Sequence, residues 1–218
     1  MAARPDIAGT LDVLRLRGDF PVLARMVNGR RLAYLDNAAS AHQPAAVIDA
    51  VAGCARTHHA NVHRGVHTLS QEATALFEAA REKARNFINA ASTAEIVFVR
   101  GTTEAINLVA QAHGRPRLQA GDEILISWLE HHSNIVPWQI LCQQTGALLR
   151  VVPIDRRGVV DFDSYQAMLG PRTRIVALAH VSNSLGTILP IRDFLDAARE
   201  RGITTLVDGA QAVPHLPV

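Results

Sequence analysis

The chain has 218 residues, nearly half of them apolar, with a formal net charge of +2. That length and composition support one substantial domain with a large core, and the scattered basic residues give no electrostatic footprint for nucleic acid or an anionic membrane. The two cysteines, Cys54 and Cys142, form neither a disulfide framework nor a CxxC metal pair, the N-terminus lacks a secretory pattern, and no run approaches the roughly 18 apolar residues that span a bilayer. A cytoplasmic protein in a reducing compartment is the expectation. Arginine is abundant, yet Lys83 is the sole lysine.

Residues 1–33 read as an N-terminal helical arm, with LDVLRLRGDFPVLARMVNG stopping at glycine and the pair Arg30-Arg31 expected as a solvated turn, like Arg156-Arg157. RLAYLDNAAS begins as a short strand. A helix is expected over 44–57, opened by Pro44. A histidine-rich irregular stretch follows. The four-residue spacing of His59, His63 and His67 imitates a helical zinc face, but Gly65 interrupts it and no acidic or cysteine ligand is close in sequence. The apolar positions Ala73, Phe77, Ala80, Ala84, Phe87 and Ile88 predict a helix over 71–89, with a capping box at Thr68–Gln71.

Strands and helices then alternate. Strands are expected at 95–99, 123–127, 148–153, 174–180 and 204–208, and helices at 103–112, 134–145, 162–169 and 191–202. The strands are continuously apolar, as strands buried on both faces must be. The alternation argues for an α/β fold with a mostly parallel sheet and helices on both sides.

Ligands of such sheets bind at the carboxyl ends of the strands. Four polar groups are expected there: Gly101-Thr102-Thr103-Glu104, Glu130-His131-His132-Ser133-Asn134, Ser182-Asn183 and Asp208-Gly209-Ala210-Gln211. Thr102 and Thr103 at a helix N-terminus suit a phosphate, or serve as a plain cap. His131 could stack on an aromatic cofactor or move protons, or be a loop histidine. Asn183 offers an amide to a ring oxygen, or occupies a turn. Asp208 closes an apolar strand, where a carboxylate is costly without a partner. A protonated pyridine nitrogen would serve as that partner, and the start of a glycine turn is the plainer reading. No GxGxxG, GxxxxGK[ST] or GxSxG pattern competes.

Taken in order, YLDNAASA, NVHRGVHTLS, VRGTTEAINLVA, GDEILIS, EHHSNIVPWQ, HVSNSLGT and VDGAQAVPH closely resemble the class V aminotransferase superfamily. Within it they are similar to the group-II cysteine desulfurases of the SufS and CsdA type, also described as selenocysteine lyases. The likeness runs from Tyr34 to Val218 and corresponds to the first half of a full family member, residues 34–218 forming the N-terminal part of the large domain.

The resemblance implies the fold-type-I architecture, pyridoxal 5'-phosphate as cofactor, a homodimer, L-cysteine or L-selenocysteine as substrate, and a sulfur-acceptor protein feeding iron–sulfur cluster assembly. It implies that Thr102 and Thr103 hold the phosphate, that His131 stacks on the ring and serves catalysis, that Asp208 pairs with the pyridinium nitrogen, and that Asn183 and Gln211 bond the phenolic oxygen. Ala38, Ala39, His63 and Arg64 would lie on the substrate side and Glu104 near the dimer interface. Ser133 stands where the family usually has alanine, a change expected to be tolerated. The family's Schiff-base lysine and persulfide cysteine fall after the last residues of this sequence, and neither Lys83, Cys54 nor Cys142 matches them. A fragment without turnover, with exposed strand edges, is therefore expected. A kynureninase-like or epimerase-like enzyme and a non-catalytic relic are the alternatives.

Overall fold

The computed structural model describes residues 11–218, so the expectation for residues 1–10 lies outside the described residues. The chain divides into two compact units, Met1–Lys83 and Ala84–Val218.

In the first unit the expected helical arm is only partly helical. A short helix α1 (Val13–Gly18) is capped by Asp12, whose side chain accepts the Arg15 N–H, and a 3₁₀ turn follows at Pro21–Ala24. A two-residue hairpin comes next, β1 (Met26–Val27) against β2 (Arg30–Arg31). Asn28 and Gly29 both have positive φ, 51° and 72°, the conformation a tight hairpin turn demands and one that Asn and Gly adopt most readily. Arg30-Arg31 is thus a strand, whereas Arg156-Arg157 lies in a turn held by Asp155.

Helix α2 (Ala45–Thr57) takes Pro44 as its cap rather than its first residue. Helix α3 (Thr68–Phe87) starts three residues before the expected position. The cause is His67, whose Nδ1 accepts the Ser70 N–H at 3.3 Å and does the work expected of Thr68. Ser70 is fully buried, donating to the Asn61 carbonyl at 2.6 Å and accepting from the Gly65 N–H at 3.0 Å, which ties the irregular histidine-rich segment to the helix.

The second unit holds a four-stranded parallel sheet in the order β4-β3-β5-β6, made of β3 (Glu123–Ser127), β4 (Leu148–Val152), β5 (Thr173–Ala179) and β6 (Thr204–Asp208). Helices α5 (Val136–Thr145), α6 (Phe162–Met168) and α7 (Ile191–Arg199) make the crossovers. The central strands β3 and β5 are buried almost throughout, as their unbroken apolar sequence requires, while the edge strands β4 and β6 are partly exposed.

Alternate side chains feed two cores. Leu125, Val176 and Leu178 pack with Tyr165 of α6 and Phe194 of α7, whereas Ile124, Ile126, Ile175 and Ala177 pack with Trp138 and Leu141 of α5 and with Ile106 of α4 (Thr102–Val109). Helices therefore cover both faces. Helix α5 ends at Gly146, whose φ of 75° lets its N–H return to the Cys142 carbonyl.

One expected strand is absent. Residues 96–99 form no ladder, and Val97 and Phe98 are exposed. The composition of EIVFV suits a strand, but a strand also needs a neighbouring strand in register, and the described sheet runs only β4-β3-β5-β6.

Candidate functional site

The chain runs from β3 outward to β4, then crosses back to β5 on the other side of β3. The sheet order thus reverses between β3 and β5, and in open α/β sheets the crevice at the carboxyl ends of such strands is where ligands bind. The segments following β3, β5 and β6 carry His131, Asn183 and Asp208 with Gln211. Three of the four expected groups therefore share one sheet edge because their strands are parallel. The fourth is not preceded by a strand; Thr102 and Thr103 instead open α4, which packs against the 3₁₀ turn His132–Asn134 after β3.

Asp208 is 6% exposed at the end of β6. Its Oδ1 accepts the Ala210 N–H at 3.0 Å, and among the described residues no lysine, arginine or histidine forms an ion pair with it. A buried carboxylate without a cation is a demand for a cationic ligand group. Next to it in the sheet, the His180 N–H donates to the Asp208 carbonyl at 3.0 Å, and burial holds the His180 imidazole below its usual range.

His131 is exposed, and its Nδ1 accepts the Ser133 N–H at 3.1 Å while Ser133 Oγ lies 2.8 Å from the same nitrogen. Behind it sits a charged residue to which sequence alone assigned no role. Glu130, 8% exposed, receives Ser127 Oγ at 2.5 Å on one oxygen and Asn134 Nδ2 at 2.7 Å on the other. Burial pushes the Glu130 carboxyl up; the bonds from Ser127, Asn134 and the Ala179 N–H oppose this, and the nearby Asp208 charge adds to it. The available signal was a carboxylate three residues past an apolar strand, but its partners come from separate elements.

At the start of α4 the Thr102 and Thr103 hydroxyls make no hydrogen bond of their own among the described residues. A surface pocket of about 470 Å³ is lined there by Arg100, Gly101, Thr103, Glu104 and Asn107. The Arg100 guanidinium and N–H, at 2.7–3.1 Å, hold the Glu104 carboxyl below its usual range. That pairing neutralises the one acidic side chain of the first turn and leaves the helix dipole and hydroxyls open to an anion. Asn183 is exposed, and Gln211 is half-buried.

The remaining expected residues belong to the first unit. Ala38 and Ala39 are exposed in a turn where the Ala39 N–H donates to the Asp36 carbonyl at 3.2 Å. His63 has a φ of 67°, its Nε2 lies 3.3 Å from Glu78, and its ring meets Phe77 edge-on; Arg64 is exposed. Lys83 closes this unit, while the sheet edge belongs to the other. Among the described residues no helix is long and apolar enough to cross a membrane.

A parallel sheet wound on both faces, with a cation-seeking carboxylate and an anion-seeking helix terminus on one unit, defines an α/β protein built for a ligand of mixed charge. The chain belongs to the class-V aminotransferase family, whose profile matches residues 33–218. It is 56% identical over 209 residues to a cysteine desulfurase of Klebsiella pneumoniae, covering 96% of this chain and 52% of that protein. It is 53% identical over 207 residues to one from Synechococcus elongatus, covering 95% and 33%. Among solved structures, the cysteine desulfurase CsdA of Escherichia coli superposes with a TM-score of 0.82 at 41% identity, over 94% of this chain and 50% of that one. The apo cysteine desulfurase of Thermococcus onnurineus gives 0.86 at 35%, over 94% and 49%. The chain thus spans about half the length of most of these relatives, and a third of the Synechococcus protein.

Proposed function

We propose that this chain is the cofactor-holding part of a pyridoxal-phosphate-dependent cysteine desulfurase, which takes L-cysteine to L-alanine and passes the sulfur to an acceptor protein in the cytoplasm, working as a homodimer. The observation that carries the reading is Asp208, a buried carboxylate with no cationic partner of its own at a strand end. It fits the protonated ring nitrogen of pyridoxal phosphate, as the open hydroxyls and N–H groups of Thr102 and Thr103 fit its phosphate. When bound, the cofactor would supply an electron sink for breaking the substrate's carbon–sulfur bond.

The roles proposed for the residues are those the family resemblance implies, and their chemistry is compatible with them. Thr102 and Thr103 anchor the anionic end. Asp208 holds a proton on the ring nitrogen by Coulomb attraction, strengthened by burial. His131 would stack on the cofactor ring and offer its imidazole for proton transfer. Asn183 and Gln211 donate amide hydrogens to the phenolic oxygen. Ala38, Ala39, His63 and Arg64, which the family resemblance places on the substrate side, all belong to the first unit. Neither Lys83, Cys54 nor Cys142 matches the position of the family's covalent lysine or sulfur-accepting cysteine. The reading is supported over its kynureninase-like, epimerase-like and relic alternatives by identities of 53–56% to cysteine desulfurases.

The test is an assay of the protein encoded by the complete reading frame, supplied with pyridoxal phosphate, L-cysteine and a thiol reductant. Alanine should form in step with sulfide. Cofactor binding without alanine would sink the desulfurase assignment, and no binding at all would sink the cofactor assignment.

A further inference from the structure

Behind the His131 loop lies a chain of buried hydrogen bonds whose direction is set from its indole end. The Trp138 indole N–H can only donate, and it donates to Asn134 Oδ1 at 2.9 Å. The Asn134 amide is thereby oriented with Nδ2 toward Glu130, donating to Oε2 at 2.7 Å. At the other end Ser127 Oγ accepts the Leu129 N–H at 3.1 Å and donates to Glu130 Oε1 at 2.5 Å. The Ala179 N–H is a third donor to the same side chain. Ser127, Asn134 and Trp138 are each at most 1% exposed. Of the forms this side chain could take, only a carboxylate accepts at both ends. A buried charge of this kind is retained at a desolvation cost, so an apolar or amide residue would be the simpler way to fill the space.

We infer that Glu130 is a positioning residue: its carboxylate joins the end of β3 through Ser127, the end of β5 through Ala179 and the helix α5 through Asn134 and Trp138, and so fixes the loop that presents His131 at the sheet edge. The catalytic meaning of that placement rests on the proposed cofactor reading; the placement itself does not.

The prediction turns on chain polarity. In Glu130→Gln the side chain has one accepting end, so either Asn134 Nδ2 or the Ser127 hydroxyl loses its acceptor. Combining Glu130→Gln with Asn134→Asp restores a complete chain with one link reversed: Trp138 donates to one oxygen of residue 134, the amide of residue 130 donates to the other, and Ser127 donates to the amide oxygen.

The experiment is NMR of the full chain with labelled histidine, the His131 ring signals being assigned by their loss in His131→Gln. Glu130→Gln should shift or split the His131 signals while leaving those of His58, in the other unit, in place, and the double variant should return them to the wild-type position. Unchanged His131 signals in Glu130→Gln would overturn the inference, as would a double variant that fails to restore them. Should Glu130→Gln not fold, the double variant decides alone: a native His131 signal supports the inference and its absence overturns it. Visible circular dichroism on addition of pyridoxal phosphate is recorded in parallel. No signal from the wild type would sink the cofactor reading, and the histidine signals would still decide the role of Glu130.

Discussion

The Ser133 N–H donates to Nδ1 of His131 at 3.1 Å, and the hydroxyl of the same serine lies 2.8 Å from that nitrogen. A backbone N–H cannot accept, so the neutral imidazole must keep Nδ1 bare and carry its proton on Nε2. The backbone bond survives Ser133→Ala. That variant should retain the Nε2–H tautomer by ¹⁵N chemical shift. In the whole enzyme its kcat should fall about two- to tenfold, the worth of one neutral hydrogen bond. A switch to the Nδ1–H tautomer would show that the hydroxyl, rather than the backbone, sets the proton.

Asp208→Asn separates the charge of the strand-end residue from its structural bond. The amide oxygen can still accept the Ala210 N–H that Oδ1 accepts now, so the turn after β6 should stand. What is lost is the buried negative charge on which the proposed pairing with a protonated ring nitrogen depends. Steady-state kinetics of the whole enzyme should show a loss on the order of 10²-fold in kcat, as for removal of one preorganised electrostatic group. An unchanged unfolding midpoint should accompany it. Wild-type kcat in this variant would remove Asp208 from the site.

Much of this could be read before any coordinates, and the exceptions have physical causes. The strands EILIS and RIVALA declared themselves because strands buried on both faces demand largely apolar runs, and the parallel sheet brings the polar residues that follow them to one edge. EIVFV has the same composition yet forms no strand, because pairing is a property of the neighbour and not of the segment. The β1–β2 hairpin is too short for periodicity to register, although Asn28-Gly29 was its turn signal. The start of α3 was misplaced by three residues because the cap is an imidazole rather than a hydroxyl. Asp208 was legible as a carboxylate closing an apolar strand. Glu130 was not, since its significance depends on the reach of Trp138 through Asn134.

The two cysteines should differ sharply toward thiol reagents. Cys54 is exposed, whereas Cys142 is packed in the core of α5 and burial pushes its thiol up to about 11. The thiolate is the reactive species, so Cys142 should be silent at neutral pH. Iodoacetamide followed by peptide mass mapping should label Cys54 first, with Cys142 reacting only when urea opens the sheet unit. Equal labelling of the native chain would show that α5 does not stay packed. The same inertness bars Cys142 from accepting sulfur.

Glu130 should give stability a pH dependence opposite to that of most carboxylates. Burial, with the Asp208 charge adding, raises its pKa above the ordinary value of 4.5, so the native state holds this proton more tightly than the unfolded chain does. The stability linked to this one group is then fully present below 4.5 and lost as pH rises through the raised folded value. Glu130→Gln has no such titration. Urea unfolding of both proteins across an acidic pH series should show the wild type losing stability relative to the variant as pH rises from about 4.5, with the difference levelling once the carboxyl is ionised in the folded state. A difference that grows in favour of the wild type over the same range would mean that the donors from Ser127, Asn134 and Ala179 outweigh desolvation and hold the carboxyl below its ordinary value.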